Sequence, residues 1–381
     1  LFQTNPAILT RYQIQFRYIL IDEYQDTNPA QYLISKYLAK RHQNICVVGD
    51  ASQSIYSFRS ADFRNIVNFE KDYLSTKVFH LEQNYRSTQN ILDAAHGVIS
   101  KNKSHPILKL WTDKNGGEKI EVVEARNEIE EALFIIDHLR GEKMQLHLGG
   151  VAVLYRTNAQ SRSLEEQFLK AGVPYRLVGG VSFYQRKEIK DVLSYLRLMQ
   201  NPADSVAVKR AEKIGKGRLA KILELYQEVS RQPDQYSTLD LLDLILARTG
   251  YLEYIDDNTE VGKGRVENVK ELRSVAEEFH NLVDFLENVA LVEAADNPRR
   301  KEQDAVTLMT LHSAKGLEFP IVFIVGMEEG LFPHSRAMLD ISELEEERRL
   351  MYVGITRAKE KLFLTYTRQR LYFGTRSNNL V

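Results

Sequence analysis

The chain has 381 residues, 43% of them hydrophobic and 27% charged, which fits a globular protein with room for two or three domains. Its formal net charge of −1 excludes a strongly basic whole-chain surface, so any nucleic-acid site must be a local patch. The single cysteine excludes an intrachain disulfide, and no apolar run approaches the ~20 residues that span a bilayer.

Along the chain, residues 17–21, 45–48 and 76–81 are short runs rich in Ile, Val and Phe and are expected to be buried strands. Cys46 is expected to be a buried strand residue, and its free thiol suits a reducing compartment. "NPAQYLISKYLAKR" has helical spacing, and the alternation argues for a parallel sheet of βα units. Strand signals recur at 119–125, 151–155 and 175–178. Between them "NEIEEALFIIDHLRG" and "SRSLEEQFLKAG" read as helices ending in Gly. Next, "RKEIKDVLSYLRLMQ" places Ile189, Val192, Leu193, Leu196 and Met199 on one helix face.

From Asn201 the strand signals stop until Val306. "TLDLLDLILARTG" reads as a helix with a Gly stop, and Val266 to Val289 as one long helix. "EAADNPRRKEQD" reads as a polar linker, and strands return at 306–311, 320–325 and 361–366. The expected fold class is α/β: two parallel sheets, with an all-helical domain inserted into the second.

Five stretches carry chemistry. In "YILIDEYQDTN", Asp22 and Glu23 end a strand, where ligands of open α/β sheets bind. Asp22 there can hold Mg²⁺ on a nucleotide and Glu23 can activate water, or the pair is a solvated strand end. In "VVGDASQSIYSFRSAD", Gln53 can sense a terminal phosphate. Tyr56 and Phe58 in the same stretch can stack on bases, with Arg59 beside them, or they are helix-core aromatics. "LEQNYRST" carries Tyr85, a stacking face, and Arg86, a fork for phosphate; the alternative is a surface loop. In "HSAKGLEF", His312 and Lys315 leave a strand end where a nucleic-acid backbone can pass, and Glu318 can take a ribose hydroxyl; the alternative is that the lone His312 is structural. In "EEERRLMYVGITRAKEKLFLTY", Arg357 sits in a helix ahead of a strand, where an Arg delivered onto a γ-phosphate acts as an arginine finger, while the charges of "ELEEERR" read as a solvated helix face with i,i+4 pairs.

In this order and strand context, the set resembles superfamily 1 DNA helicases of the UvrD/PcrA/Rep type. "DEYQDTN" resembles their motif II, "GDASQSIYSFRSAD" motif III, "NYRST" motif IV, "TLHSAKGLEFP" motif V and "YVGITRAKEKL" motif VI. "LYRTNAQSRSLE" and "YRLVGGVSFYQRKEIKDVLSYLRL" resemble segments of the second motor domain. The resemblance implies RecA-like sheets of the P-loop NTPase type, one partial and one complete. It places the first motor domain at 1–80, the second at 81–200 and 303–381, and an inserted helical domain at 201–302.

It further implies ATP and Mg²⁺ as cofactors. Asp22 would hold the metal, Glu23 would activate water, and Gln53, Arg86 and Arg357 would reach the γ-phosphate. Tyr85 would pack on adenine and Glu318 would touch the ribose. Tyr56, Phe58, Arg59, Arg156, Asn158, His312 and Lys315 would line a track for single-stranded DNA and single/double-strand junctions. The implied activity is 3′-to-5′ movement and unwinding in DNA repair or replication, in the cytoplasm with the bacterial nucleoid and without a membrane.

Three departures accompany the resemblance. The phosphate loop G-x-x-x-x-G-K-[ST] is not in these 381 residues, so the chain is expected to be the C-terminal part of a longer protein and inactive alone. Phe58 stands where the family usually has Trp. The stretch around 203–217 is short, although "KIGKGR" offers a basic Gly-turn for phosphate. The alternative is a non-catalytic DNA-binding scaffold derived from a helicase. A helicase–nuclease subunit is discounted, because no acid follows residue 366. A base-stacking track alone also admits an RNA helicase.

Overall fold

The first two strand signals form a parallel pair. β1 (Ile19–Ile21) lies beside β2 (Ile45–Val47), with Leu20 opposite Cys46. The crossover between them is the helix Pro29–Ala39, started by a capping box in which Asn28 Oδ1 accepts from the Ala30 and Gln31 N–H groups. The computed structural model describes residues 1–114, 116–141, 147–232, 235–295 and 304–378.

Two expectations fail here. Cys46 is exposed, as is Leu20, because a sheet of two strands leaves most of its surface uncovered. Residues 76–81 are not a paired strand: they form no regular element, and Phe79 is 82% and Leu81 77% exposed. Without a neighbouring strand to meet their backbone groups, their β-forming composition has nothing to act on.

The larger sheet has six strands. They are β3 (Glu121–Ala125), β4 (Val151–Tyr155), β5 (Tyr175–Val178), β6 (Val306–Thr310), β7 (Phe319–Ile324) and β8 (Ala358–Thr367), in the order β3-β8-β7-β4-β6-β5. β6 pairs parallel with β4 on one side and β5 on the other. Every residue of β4 is buried, as expected of a strand covered on both faces, whose sequence is a continuous apolar run.

The helices Ser161–Ala171 and Thr238–Thr249 stop at Gly172 and Gly250, both left-handed (φ 67° and 58°). The long helix expected over 266–289 is two helices, Glu260–Glu278 and Leu282–Ala295. Polar groups cause the break. Asn281 Oδ1 accepts from Val283 N at 2.7 Å, and the His280 carbonyl accepts from Thr238 N at 3.0 Å. Apolar periodicity runs through this corner and cannot register it. Between 201 and 295 the described residues hold helices and no strand, as expected. Ile222, Leu242, Ile245, Leu272 and Phe285 form their core together with Val192 and Leu196 of the helix Lys187–Gln200. Most of the expected linker 293–304 lies outside the described residues.

By contact density the chain divides into two compact units. One holds 1–121, 314–322 and 332–362; the other holds 122–313, 323–331 and 363–381. Among the described residues no helix is long and apolar enough to cross a membrane.

Candidate functional site

β1 ends in two exposed carboxylates. Asp22 Oδ1 accepts from the Glu23 N–H at 2.8 Å, and Glu23 is left-handed with φ 51°, a conformation that costs a residue with a Cβ. Gln25, which sequence reasoning missed, orients the Glu23 side chain. It is fully buried and donates from Nε2 to Glu23 Oε2 at 2.5 Å. Its Oε1 accepts from Asp50 N at 3.1 Å. Gly49 leaves space for that amide, since a Cβ there would lie 2.3 Å from Gln25 Oε1. The Gly-Asp pair after β2 was the only sequence trace of this support.

Lys315 joins the carboxylates to the aromatic stretch. Its Nζ makes a short ion pair with Asp26, donates to the Gln53 carbonyl at 2.7 Å, and lies 3.6 Å from Glu23 Oε2. Its side chain is 6% exposed, so it faces protein here rather than solvent. Burial raises the Asp26 carboxyl above its ordinary value, although Lys315 pulls it back. The Gln53 side chain donates to Asp50 Oδ2 at 2.9 Å. The Lys315 ammonium is also 5.3 Å from the centre of the Tyr56 ring. Tyr56 and Phe58 meet edge to face at 5.9 Å, and the Arg59 guanidinium lies 5.4 Å from each ring. Tyr56 is half-buried and Phe58 exposed, so these rings are not packed away as helix core.

Arg86 and Arg357 meet around Thr356. Arg86 donates from Nε to Glu318 Oε2 at 2.7 Å and from Nη1 to the Thr356 carbonyl at 3.2 Å. Lys359 holds the other Glu318 oxygen at 2.5 Å. Arg357 follows the helix Ile341–Ile355 instead of lying within it. Its guanidinium is buried and donates to the Val353 carbonyl (2.9 Å), the Leu317 carbonyl (3.2 Å) and Thr356 Oγ1 (3.0 Å). None of these acceptors is a carboxylate. Burial first, and the neighbouring Arg86 second, pull its pKa down to about 10, while the Glu23 charge opposes the shift. Tyr85 is 76% exposed and its hydroxyl donates to Gln83 Oε1. A further buried arginine, Arg349, donates from Nε to the Ser54 carbonyl at 2.8 Å and so anchors the loop between Gln53 and Tyr56.

These residues all belong to one compact unit; Arg156, Asn158 and His312 belong to the other. There, β4 and β6 run parallel with Tyr155 opposite Thr310, so Arg156 and His312 leave the same end of adjacent strands. Leu311 N donates to the Tyr155 carbonyl at 2.8 Å and holds the two exits together. Asn158 is exposed, while Arg156 and His312 are half-buried.

The UvrD/REP helicase N-terminal domain matches residues 1–74. The UvrD-like helicase C-terminal domain matches 79–249 and 221–369. The ATP-dependent DNA helicase PcrA of Bacillus subtilis (strain 168) is 43% identical over 436 residues, covering 100% of this chain and 58% of the relative. The protein of that name from Leuconostoc citreum is 43% identical over 434 residues, covering 100% and 58%. That from Staphylococcus aureus (strain Mu50 / ATCC 700699) is 42% identical over 435 residues, covering 100% and 59%. The chain therefore spans a little over half the length of these relatives. The first match runs over 436 residues against 381 here, so the relatives carry residues inside the matched stretch that this chain lacks. With the two domain models between them matching nearly the whole sequence, and with the motif residues brought together as described, the chain belongs to the UvrD-like helicase family.

Proposed function

We propose that the chain is the larger part of an ATP-dependent DNA helicase that moves 3′ to 5′ on single-stranded DNA and unwinds duplex in repair or replication. One observation carries the reading: Arg86 and Arg357 both donate to Thr356, and among the described residues Arg357 donates to no carboxylate. Two neighbouring guanidiniums repel, and an anion between them relieves that cost. The terminal phosphate of ATP fits, with the charge of Glu23 close enough to be felt at Arg357.

In this reading Glu23 orients and deprotonates the attacking water, held by Gln25. Gln53 senses the γ-phosphate, Tyr85 packs on adenine and Glu318 touches the ribose. Asp22 would hold Mg²⁺; an exposed carboxylate at a strand end suits a cation that takes one or two carboxylates and keeps its waters. Bound there, Mg²⁺ would neutralise charge on the β- and γ-phosphate oxygens. Tyr56, Phe58 and Arg59, with Arg156, Asn158 and His312, line the DNA track; Lys315, expected there from the sequence, is instead buried against Asp26 and the Gln53 carbonyl and supports the Tyr56 ring from the protein side. Single/double-strand junctions are the substrates on which unwinding begins.

The first motor domain is taken as 1–80, the second as 81–200 and 303–381, and the helical insertion as 201–302. Sheet membership supports this, since β1 and β2 pair only with each other, while β3 to β8 form a separate sheet. The phosphate loop is not among these 381 residues, so the chain by itself is expected not to hydrolyse ATP. A DNA motor of this kind works in the cytoplasm with the bacterial nucleoid; the organisms of the relatives support only the bacterial part of that reading.

The test is ATP hydrolysis with and without single-stranded DNA. It compares this chain with a version extended ahead of Leu1 by a segment that carries a phosphate loop. DNA-stimulated turnover in the extended version alone is the expected result. Silence in both, with DNA binding retained, would replace the motor by a DNA-binding scaffold.

A further inference from the structure

The loop after β4 that carries Arg156 and Asn158 is held from two sides. Gln160 Oε1 accepts from the N–H groups of Arg156 (2.9 Å) and Thr157 (2.8 Å). From another direction comes Arg186, which immediately precedes the helix Lys187–Gln200. Its Nη1 donates to the Asn158 carbonyl at 3.0 Å and to Asn268 Oδ1 at 2.8 Å. Its Nη2 donates to Ser161 Oγ at 2.7 Å, and its Nε to the Val181 carbonyl at 3.4 Å. The side chain is 9% exposed, and Glu165 Oε1 lies 3.9 Å away. Asn268 belongs to the helix Glu260–Glu278 of the helical region, and its Nδ2 donates to Glu188 Oε1 at 2.7 Å.

Glu165 balances the charge of this buried guanidinium, while its hydrogen bonds go to neutral oxygens on three separate segments. What the guanidinium adds is geometry. Its planar fork donates in fixed directions, so one nitrogen ties the Asn158 backbone to a side chain of the helical region. A shift of the helix Glu260–Glu278 moves Asn268, and through Arg186 the Asn158 backbone follows. Asn158 is exposed while its carbonyl is held by a buried partner, the arrangement of a surface contact fixed from beneath.

We infer that Arg186 is a positioning residue for nucleic-acid binding: it couples the seating of the helix Glu260–Glu278 to the presentation of Asn158. The inference rests on the reading of Asn158 as a single-strand contact. Neither Arg186 nor Asn268 touches DNA in this account; both act through the loop.

The experiment is a double-mutant cycle on the full chain, read by fluorescence anisotropy with a labelled oligo-dT. Asn158→Ala is expected to loosen binding by about two- to tenfold, the worth of one hydrogen bond. Arg186→Lys and Asn268→Ala are each expected to loosen it similarly. In either background Asn158→Ala should then add nothing further. A residue important only for stability would lower the melting temperature but leave the Asn158→Ala effect at full size in folded protein, and that result overturns the inference. If Arg186→Lys does not fold, Asn268→Ala decides: it keeps the guanidinium and removes its acceptor on the helix, and Glu188→Gln alone controls for the Asn268 bond to Glu188 that is lost with it. If the chain binds oligo-dT and Asn158→Ala changes nothing, the coupling is refuted while the functional reading stands. If the unsubstituted chain does not bind at all, the functional reading falls and the inference with it.

Discussion

Arg86 and Lys359 share one carboxylate: Glu318 accepts from Arg86 Nε at 2.7 Å through one oxygen and pairs with Lys359 Nζ at 2.5 Å through the other. Two cations on one acid pull its pKa from 4.5 to about 2, with Lys359 the larger cause. The pair holds the Arg86 fork at one end and leaves Nη1 on the Thr356 carbonyl beside Arg357.

The sign of the pH dependence follows. Because the folded pKa is depressed, the contribution of Glu318 to stability is complete above about pH 4.5 and is lost as pH falls towards about 2. The side chain is 42% exposed, so the effect on stability is small and the titration is the better readout. Carboxyl-carbon NMR of glutamate-labelled protein should give Glu318 a midpoint well below the usual range. Lys359→Ala should move it back up. An ordinary midpoint in the unsubstituted protein would mean that the triad does not persist in solution.

In the proposed reading Arg357 carries a function at the expense of stability. Among the described residues it is a buried cation that donates to no carboxylate, bonded to Val353, Leu317 and Thr356. In the extended protein, Arg86→Ala and Arg357→Ala should each lower ATP turnover by ~10³-fold or more, with single-strand affinity unchanged. Arg357→Met, by contrast, should leave the unfolding free energy of the chain within about 1 kcal/mol or raise it. Thermal unfolding and turnover measured on the same variant separate the two effects. Retained turnover would show that the residue does not reach the phosphate. A loss of several kcal/mol would show that its backbone bonds are structural.

Tyr56 is flanked by Lys315, Phe58 and Arg59, with its ring only partly covered. Tyr56→Ala should weaken oligonucleotide binding by ~1–3 kcal/mol, the range for one stacked base. In the extended protein it should also blunt stimulation of ATPase by DNA. Equal affinity in a titration at fixed salt would make the ring a packing residue.

The helix Ser161–Ala171 places Arg162 in the interior, where Nε bonds Glu271 at 2.8 Å and Nη1 bonds Glu166 at 3.2 Å. Glu271→Ala leaves the buried guanidinium paired with Glu166 but its Nε without an acceptor, and should cost about 1–3 kcal/mol in denaturant unfolding. A cost below about 1 kcal/mol would mean that water enters and solvates the guanidinium.

Most strands were legible because burial on both faces writes a plain apolar run, as in β4 and β6. Residues 76–81 carry the same composition, but a strand needs a neighbour, and composition does not report whether one is there. The helix break at 279–281 was missed because Asn281 and His280 act through hydrogen bonds that leave the apolar period undisturbed. At the site, the motif residues were visible as types in order, and the structure adds their supports. Gln25 and Arg349 are polar residues whose importance lies in what they hold, the Glu23 carboxylate and the Ser54 carbonyl. No spacing rule marks such residues, because their partners come from other parts of the chain.

The left-handed backbone of Glu23 sets two kinds of selection against each other at one position. The conformation costs a glutamate roughly 1–2 kcal/mol that a glycine would not lose. A library screened only for survival of heating would therefore drift towards glycine or asparagine at position 23. A library screened for turnover would hold glutamate there and let the stability go. The residue recovered at this one site would reveal which demand had shaped a given lineage.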